Sequence, residues 1–240
     1  GGDVQMNIFA ATMPAVYERL YGAGEAAEHA AIAGRRGARL VHAEVWQSPQ
    51  GPQLCVVAED RPGLLALVTD ALMAQGMGIQ SARAFCRVVS KEQFEAVDFL
   101  QLRALGGPDD VTAQLDADGL QAFSQSLGEL IADDIAQHAR SSAAPPADVA
   151  PHTRVYFERQ PPAEGRYLLV VDAADSDGLL HAVSAALYAK SMRIMACEIR
   201  TVAGRARDRF EVEPASQRAL SDPELCDVQL AVLEALPARR

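Results

Sequence analysis

The sequence predicts an α+β protein made of two copies of one strand–helix–strand–strand–helix unit. Three observations carry that prediction. The chain repeats itself at an offset of 115 residues, each copy alternates strand-like and helix-like hydrophobic periodicity in the same order, and a polar, proline-containing stretch separates the copies. Residues 53–82 align with 168–197 without a gap. Thirteen of those thirty positions are identical: Leu54, Val56, Ala58, Asp60, Gly63, Leu64, Leu65, Val68, Ala71, Leu72, Ala74, Met77 and Ile79. Composition alone would give about two or three matches.

Taken in order, residues 10–34 carry Tyr17, Leu20, Tyr21 and an alanine-rich stretch, and read as one or two helices outside the repeat. Residues 38–46 are a strand candidate. Leu54-Cys55-Val56-Val57-Ala58 is a short apolar run rich in β-branched residues, hence a buried strand. Asp60-Arg61-Pro62-Gly63 then opens a helix whose Leu64, Leu65, Val68 and Leu72 fall on one face, and Gly76-Met77-Gly78 ends it. Residues 79–89 and 94–102 are strands joined by the polar turn Ser90-Lys91-Glu92-Gln93. Leu120, Phe123, Leu127, Leu130, Ile131 and Ile135 mark a second amphipathic helix.

The second copy follows the same plan. Strands are expected at 154–158 and 167–173, and Leu179, Leu180, Val183 and Leu187 form the helix face. A hairpin covers 194–202 and 210–212 and turns near Gly204, and a last helix bears Leu225, Val228, Val232, Leu233 and Leu236. The predicted organisation is a helical connector at 1–37, a first domain at 38–138, a linker at 139–152 and a second domain at 153–240. A split βαβ unit is normally completed by a fourth strand. Neither copy has one after its second helix, so the strand preceding the unit is expected to pair where a terminal strand would lie.

Composition narrows the function. The net charge is −10, and Lys/Arg residues form no block longer than two or three. A nucleic-acid binder needs a basic stripe to displace counterions, so nucleic acid and anionic membrane are poor partners. No apolar run approaches the roughly 18–20 residues of a membrane span, and residues 8–16 lack the flanks of a signal peptide. Cys55, Cys86, Cys197 and Cys226 are widely spaced with no C-x-x-C pair, which reads as free thiols in a reducing compartment, and a cytoplasmic location follows. The five histidines, His29, His42, His138, His152 and His181, show no metal-ligand spacing, and His181 is placed at a surface or edge. No nucleophile–base or paired-carboxylate arrangement stands out. The chain is expected to perform no covalent chemistry and to need no cofactor or metal.

The Asp-x-x-Gly turns suit ligand binding. A helix N-terminus offers unpaired N–H groups and partial positive charge to a carboxylate. Gly63 and Gly178 let another group approach closely, and Asp60 and Asp175 can meet an ammonium group. The plainer reading is also sufficient: an Asp cap followed by Pro and Gly simply starts a helix. It weighs more heavily in the second copy, where Asp177 adds negative charge.

The string Asp60-Arg61-Pro62-Gly63-Leu64-Leu65, between a strand and a helix that ends in Gly76-x-x-Ile79, resembles the ACT domain. That is a small ferredoxin-like βαββαβ regulatory module that binds amino acids. The order of pieces is similar to the C-terminal region of the bifunctional PII uridylyltransferase/uridylyl-removing enzyme family. Met13-Pro14-Ala15-Val16-Tyr17 and Glu28-His29-Ala30 look like its helical connector. Residues 57–66 with Ser81-Ala82-Arg83 look like its first ACT domain, and Val155-Tyr156-Phe157-Glu158 with 167–171 look like the start of its second. The second copy departs from the pattern in having Asp175-Ser176-Asp177-Gly178, and Gly78 and Arg193 replace the usual Asn or Asp before the second strand.

The resemblance implies two ACT domains with four-stranded antiparallel sheets and helices on one face, paired within the chain or in a homodimer. It implies an amino-acid ligand, glutamine above all, lying between the turn of one domain and the second strand of its neighbour. The site residues would be Asp60, Arg61, Gly63, Leu64, Ile79 and Gln80, and in the second copy Asp175, Ser176, Gly178, Leu179, Ile194 and Met195. The chain opens on Gly1-Gly2 without methionine, which reads as a cloned fragment whose nucleotidyltransferase and hydrolase domains lie elsewhere. The alternatives are a stand-alone tandem ACT regulator acting by protein contact, like the glycine-cleavage repressor or acetolactate synthase regulatory subunits, and a degenerate module that mediates assembly alone.

Overall fold

The computed structural model describes residues 2–108, 110–133 and 152–237. The expected linker at 139–152, apart from its last residue, and Ile135 of the second amphipathic helix lie outside them. Three helices come first: α1 (Gly2–Thr12), α2 (Ala15–Leu20) and α3 (Ala23–Arg36). Strands β1 (Val41–Ser48) and β2 (Gly51–Glu59), helix α4 (Leu64–Met73), strands β3 (Met77–Val88) and β4 (Phe94–Ala104) and helix α5 (Ala117–Ala132) complete the first half. The second half holds β5 (Arg154–Phe157), β6 (Tyr167–Ala174), α6 (Leu179–Ala189), β7 (Met192–Val202), β8 (Arg205–Pro214) and α7 (Asp222–Ala235).

Among the described residues, all eight strands belong to one antiparallel sheet in the order β1-β2-β4-β3-β7-β8-β6-β5. The two expected four-stranded sheets are instead halves of this one sheet, because β3 and β7 pair directly and join them edge to edge. Each would otherwise leave a row of unpaired backbone groups open to water or to aggregation. The strands preceding the repeat unit, β1 and β5, pair with β2 and β6 at the two outer edges.

Alternation along the strands sorts side chains to two faces. Leu54, Val56 and Ala58 of β2, Leu100 and Leu102 of β4 and Leu169, Val171, Phe210 and Val212 of the second half point to one apolar core beneath α4–α7. In that helical layer α4 packs against α6, with α5 outside α4 and α7 outside α6. Val68, Leu72, Val183 and Leu187 are fully buried there. Truncating one such leucine to alanine costs about 2–5 kcal/mol.

Helices α4–α7 all lie on that face, and the N-terminal helical segment covers part of the other. Cys55, Val57, Phe85, Val97 and Phe99 point to the opposite face of the first half, where Phe9, Tyr17, Tyr21 and Ile32 of α1–α3 cover them. The N-terminal segment has three helices, broken at Met13-Pro14 and at Gly22, rather than one or two starting near residue 10. Proline lacks an N–H and resists the helix interior, and Pro14 stands as the N-cap of α2. His29 is fully buried at the centre of this layer, its ring 4.2 Å from both Trp46 and Phe99. Glu95 on β4, nearly buried, accepts from Arg36 of α3 at 2.9 Å and Arg87 of β3 at 2.6 Å, which ties the helices to the sheet.

Candidate functional site

The seam between β3 and β7 organises the candidate site. Ala82 faces Ile199, Arg83 faces Glu198 and Ala84 faces Cys197. At the repeat offset Arg83 and Glu198 are equivalent positions, so the pairing is symmetric about them, and a pseudo-two-fold axis passes through that pair. This symmetry brings the glycine turn of each copy against the opening of the second strand of the other, and two related cavities result.

The first cavity, about 50 Å³, is walled by Asp60, Arg61, Gly63 and Leu64 of the first copy's turn and by Cys86 and Asp98 of its strands. Ser184 and Tyr188 of α6 and Met192, Arg193 and Ile194 of β7 close it from the second copy. The second, about 40 Å³, repeats the design with Asp175, Ser176, Gly178 and Leu179, Thr201 and Asp208, Thr69 and Met73 of α4, and Met77, Gly78 and Ile79 of β3. Each has room for a few water molecules.

The turns have nearly identical backbones. Gly63 (φ 81°, ψ 0°) and Gly178 (φ 84°, ψ −1°) are the N-caps of α4 and α6, both left-handed, a conformation that glycine alone adopts without cost. The reading of Asp60 and Asp175 as helix caps is therefore corrected, because neither helix has a side-chain cap. The carboxylates turn elsewhere. Asp60 accepts from the Cys86 thiol at 3.0 Å, and Arg193 lies 3.8 Å away with its guanidinium 4.0 Å from the Phe94 ring centroid. Burial raises the Asp60 carboxyl above the usual carboxylate range, against the pull of Cys86 and Arg193. Asp175 receives Arg103 at 2.6 Å, and Asp177 receives the same guanidinium at 3.0 Å.

Behind each turn sits a buried acid. Asp98 faces Val56 across the β2–β4 pair and Asp208 faces Val171 across β6–β8, so the two are equivalent. Each accepts from a backbone N–H at an equivalent position, Phe85 for Asp98 and Arg200 for Asp208, the latter at 3.3 Å. Burial, with Asp60 nearby, pushes Asp98 up to about 8, and burial pushes Asp208 up to about 7. The Ser184 hydroxyl and Asp208 Oδ2 are buried without a hydrogen-bond partner. Acids, a hydroxyl and a helix N-terminus around one small space suit a zwitterion, whose ammonium and carboxylate need opposite partners. The Cys86 thiol is raised by burial, which makes it a poor nucleophile.

Asp60, Arg61, Gly63, Leu64 and Ile194 thus share the first cavity, and Asp175, Ser176, Gly178, Leu179 and Ile79 share the second. Gln80 and Met195 line neither. They are the extra residues of matching β-bulges, one after Ile79 and one after Ile194. A bulge leaves its extra residue out of the pairing and re-aims its neighbours. Sequence reasoning missed Asp98 and Asp208, although each shares strand parity with apolar residues, Ala96 and Leu100 in one case and Ala206 and Phe210 in the other. It also misplaced His181, which spans the two copies from α6 to Asp70 of α4 at 3.0 Å, and Asp70 raises its affinity for a proton.

Among the described residues, no group of three or more His, Cys, Asp or Glu is arranged to hold a metal ion, and no helix is long and apolar enough to cross a membrane. Compared with known protein families, the chain matches no family model.

Proposed function

We propose that this chain is a tandem ACT-type regulatory module that senses an amino acid, glutamine by its resemblance to the PII uridylyltransferase family. On this reading it passes its state to an attached or partner enzyme of nitrogen metabolism and carries no active site itself. One observation carries the proposal: each Asp-x-x-Gly turn lies against the opening of the other copy's second strand, across a two-fold seam. Further support comes from the three buried free thiols, Cys55, Cys86 and Cys197, which fit a reducing cytoplasm.

The cavities are too small to take an amino acid without movement of the seam. That is a regulatory advantage, because a ligand shifts an equilibrium only through unequal affinity for two states. An amino acid entering between α4, α6 and the strand openings prises the copies into a new relative position, and an attached domain can read that position.

Calorimetry with glutamine against the other amino acids tests the reading. Binding linkage predicts about 2.7 kcal/mol of stabilisation at a hundredfold excess over Kd. Absence of both heat and a melting shift at saturating glutamine would sink it.

A further inference from the structure

We infer that the chain has one ligand site rather than two, because its own Arg103 occupies the second cavity in place of a ligand's cationic group. The inference rests on reading the two cavities as amino-acid sites, and it follows from two pairs of cross-strand neighbours. In the first copy Gly78 of β3 faces Arg103 of β4. In the second copy the equivalent pair is Arg193 of β7 and Glu213 of β8.

Arg103 crosses into the second copy and donates to Asp175 at 2.6 Å and to Asp177 at 3.0 Å. Its guanidinium is largely buried and gives one charge-assisted hydrogen bond to each of two carboxylates. Gly78 lies beside it: a Cβ at position 78 would stand 3.0 Å from Leu105 Cδ2, which would have to give way, and in ordinary contact with Arg103 Nε at 3.5 Å and Asp177 Oδ1 at 3.6 Å.

The arginine that enters the first cavity is held less closely. Glu213, at the position of Arg103, is turned to Arg166 at 3.5 Å. Arg193 is the nearest guanidinium to Asp60, but it stays 3.8 Å away, beyond hydrogen-bond range, and lies over Phe94. Asp60 takes its hydrogen bonds from the Cys86 thiol, a weak donor, and from the Arg61 backbone N–H, and an incoming ammonium group can replace the thiol. A ligand at the second cavity would have to break a two-carboxylate arginine pair first. The two cavities differ little in size, so charge occupancy and not volume separates them.

The test is the stoichiometry of L-glutamine binding to the 240-residue chain by calorimetry near neutral pH. Wild type binds one equivalent, Asp60→Ala binds none, and Arg103→Gln binds two. Two equivalents in the wild type, or any site surviving Asp60→Ala, overturns the inference while leaving the amino-acid reading intact. One equivalent in a folded Arg103→Gln chain also overturns it, because Arg103 would then not be what closes the second cavity. If Arg103→Gln fails to fold, the wild-type count and Asp60→Ala decide the matter. No binding by any of the three proteins overturns the amino-acid reading and the inference together.

Discussion

Arg83 of β3 and Glu198 of β7 face each other across the seam, 3.6 Å between guanidinium and carboxylate, at equivalent positions of the repeat. A seam between two identical copies would set arginine against arginine or glutamate against glutamate on this axis. The divergence of one position thus favours the union of unlike copies over like ones.

Reversing the charge at one side tests this. Arg83→Glu sets two carboxylates opposite each other and is expected to destabilise the chain by about 1 kcal/mol, the scale of a like-charge cross-strand pair. The exchange Arg83→Glu with Glu198→Arg recovers most of the loss. Chemical denaturation of the four proteins gives the coupling, and a cycle with no coupling would show that the pair is ornamental.

His29 makes stability fall in acid. Tyr17 Oη and His29 Nδ1 share a hydrogen bond of 2.7 Å, and burial lowers the imidazole from 6.5 to about 3. The folded state holds it neutral, so its contribution is whole above pH 6.5 and drains away as pH falls toward 3. The loss reaches about 3 kcal/mol by pH 4. His29→Gln, which does not titrate, should flatten that limb of the denaturation profile.

Asp98 acts in the opposite sense. Its carboxyl is raised from 3.8 to about 8, so its contribution is full below pH 3.8 and lost as pH rises toward 8. Asp98→Asn keeps an acceptor for the Phe85 N–H and removes the titration. It should raise stability by a few kcal/mol near pH 8 and leave it unchanged near pH 4. A variant equally affected at both pH values would refute the assignment of the shift to burial.

The two glycine turns should respond alike. Gly63→Ala and Gly178→Ala each force a side chain into left-handed backbone, at φ 81° and 84°, and each should cost about 1–2 kcal/mol in equilibrium unfolding. A markedly cheaper substitution at Gly178 would mean that the second turn relaxes.

Ligand affinity should separate the turns where stability does not. Asp60→Ala is expected to leave no glutamine binding that calorimetry detects, through the loss of a charge-assisted contact in the first cavity. Asp175→Ala, whose carboxylate is already spent on Arg103, should change it less. Equal losses in calorimetry would overturn this ranking of the copies.

Much of this was legible in the sequence because it is local. The identical spacing of Leu64, Leu65, Val68 and Leu72 with Leu179, Leu180, Val183 and Leu187 declares two like helices. Helix starts, the hairpins and the strands before each unit follow from periodicity and turn chemistry, which act over a few residues. The site was half legible: Asp60, Gly63, Asp175 and Gly178 come from the repeat, but nothing near them in the chain announces Arg103 or Ser184.

The sequence by itself determined that one unit occurs twice, with an Asp-x-x-Gly turn at each helix start. Only the tertiary structure decided that the two units share a single sheet. It also decided that α1–α3 seal one face of that sheet, that Asp98 and Asp208 are buried, and that an arginine of one copy serves the turn of the other. The physical reason is the range of the forces. Hydrophobic periodicity is written residue by residue, whereas charge pairing and burial depend on which strands become neighbours, and β3 meets β7 through residues as far apart in the chain as Arg83 and Glu198.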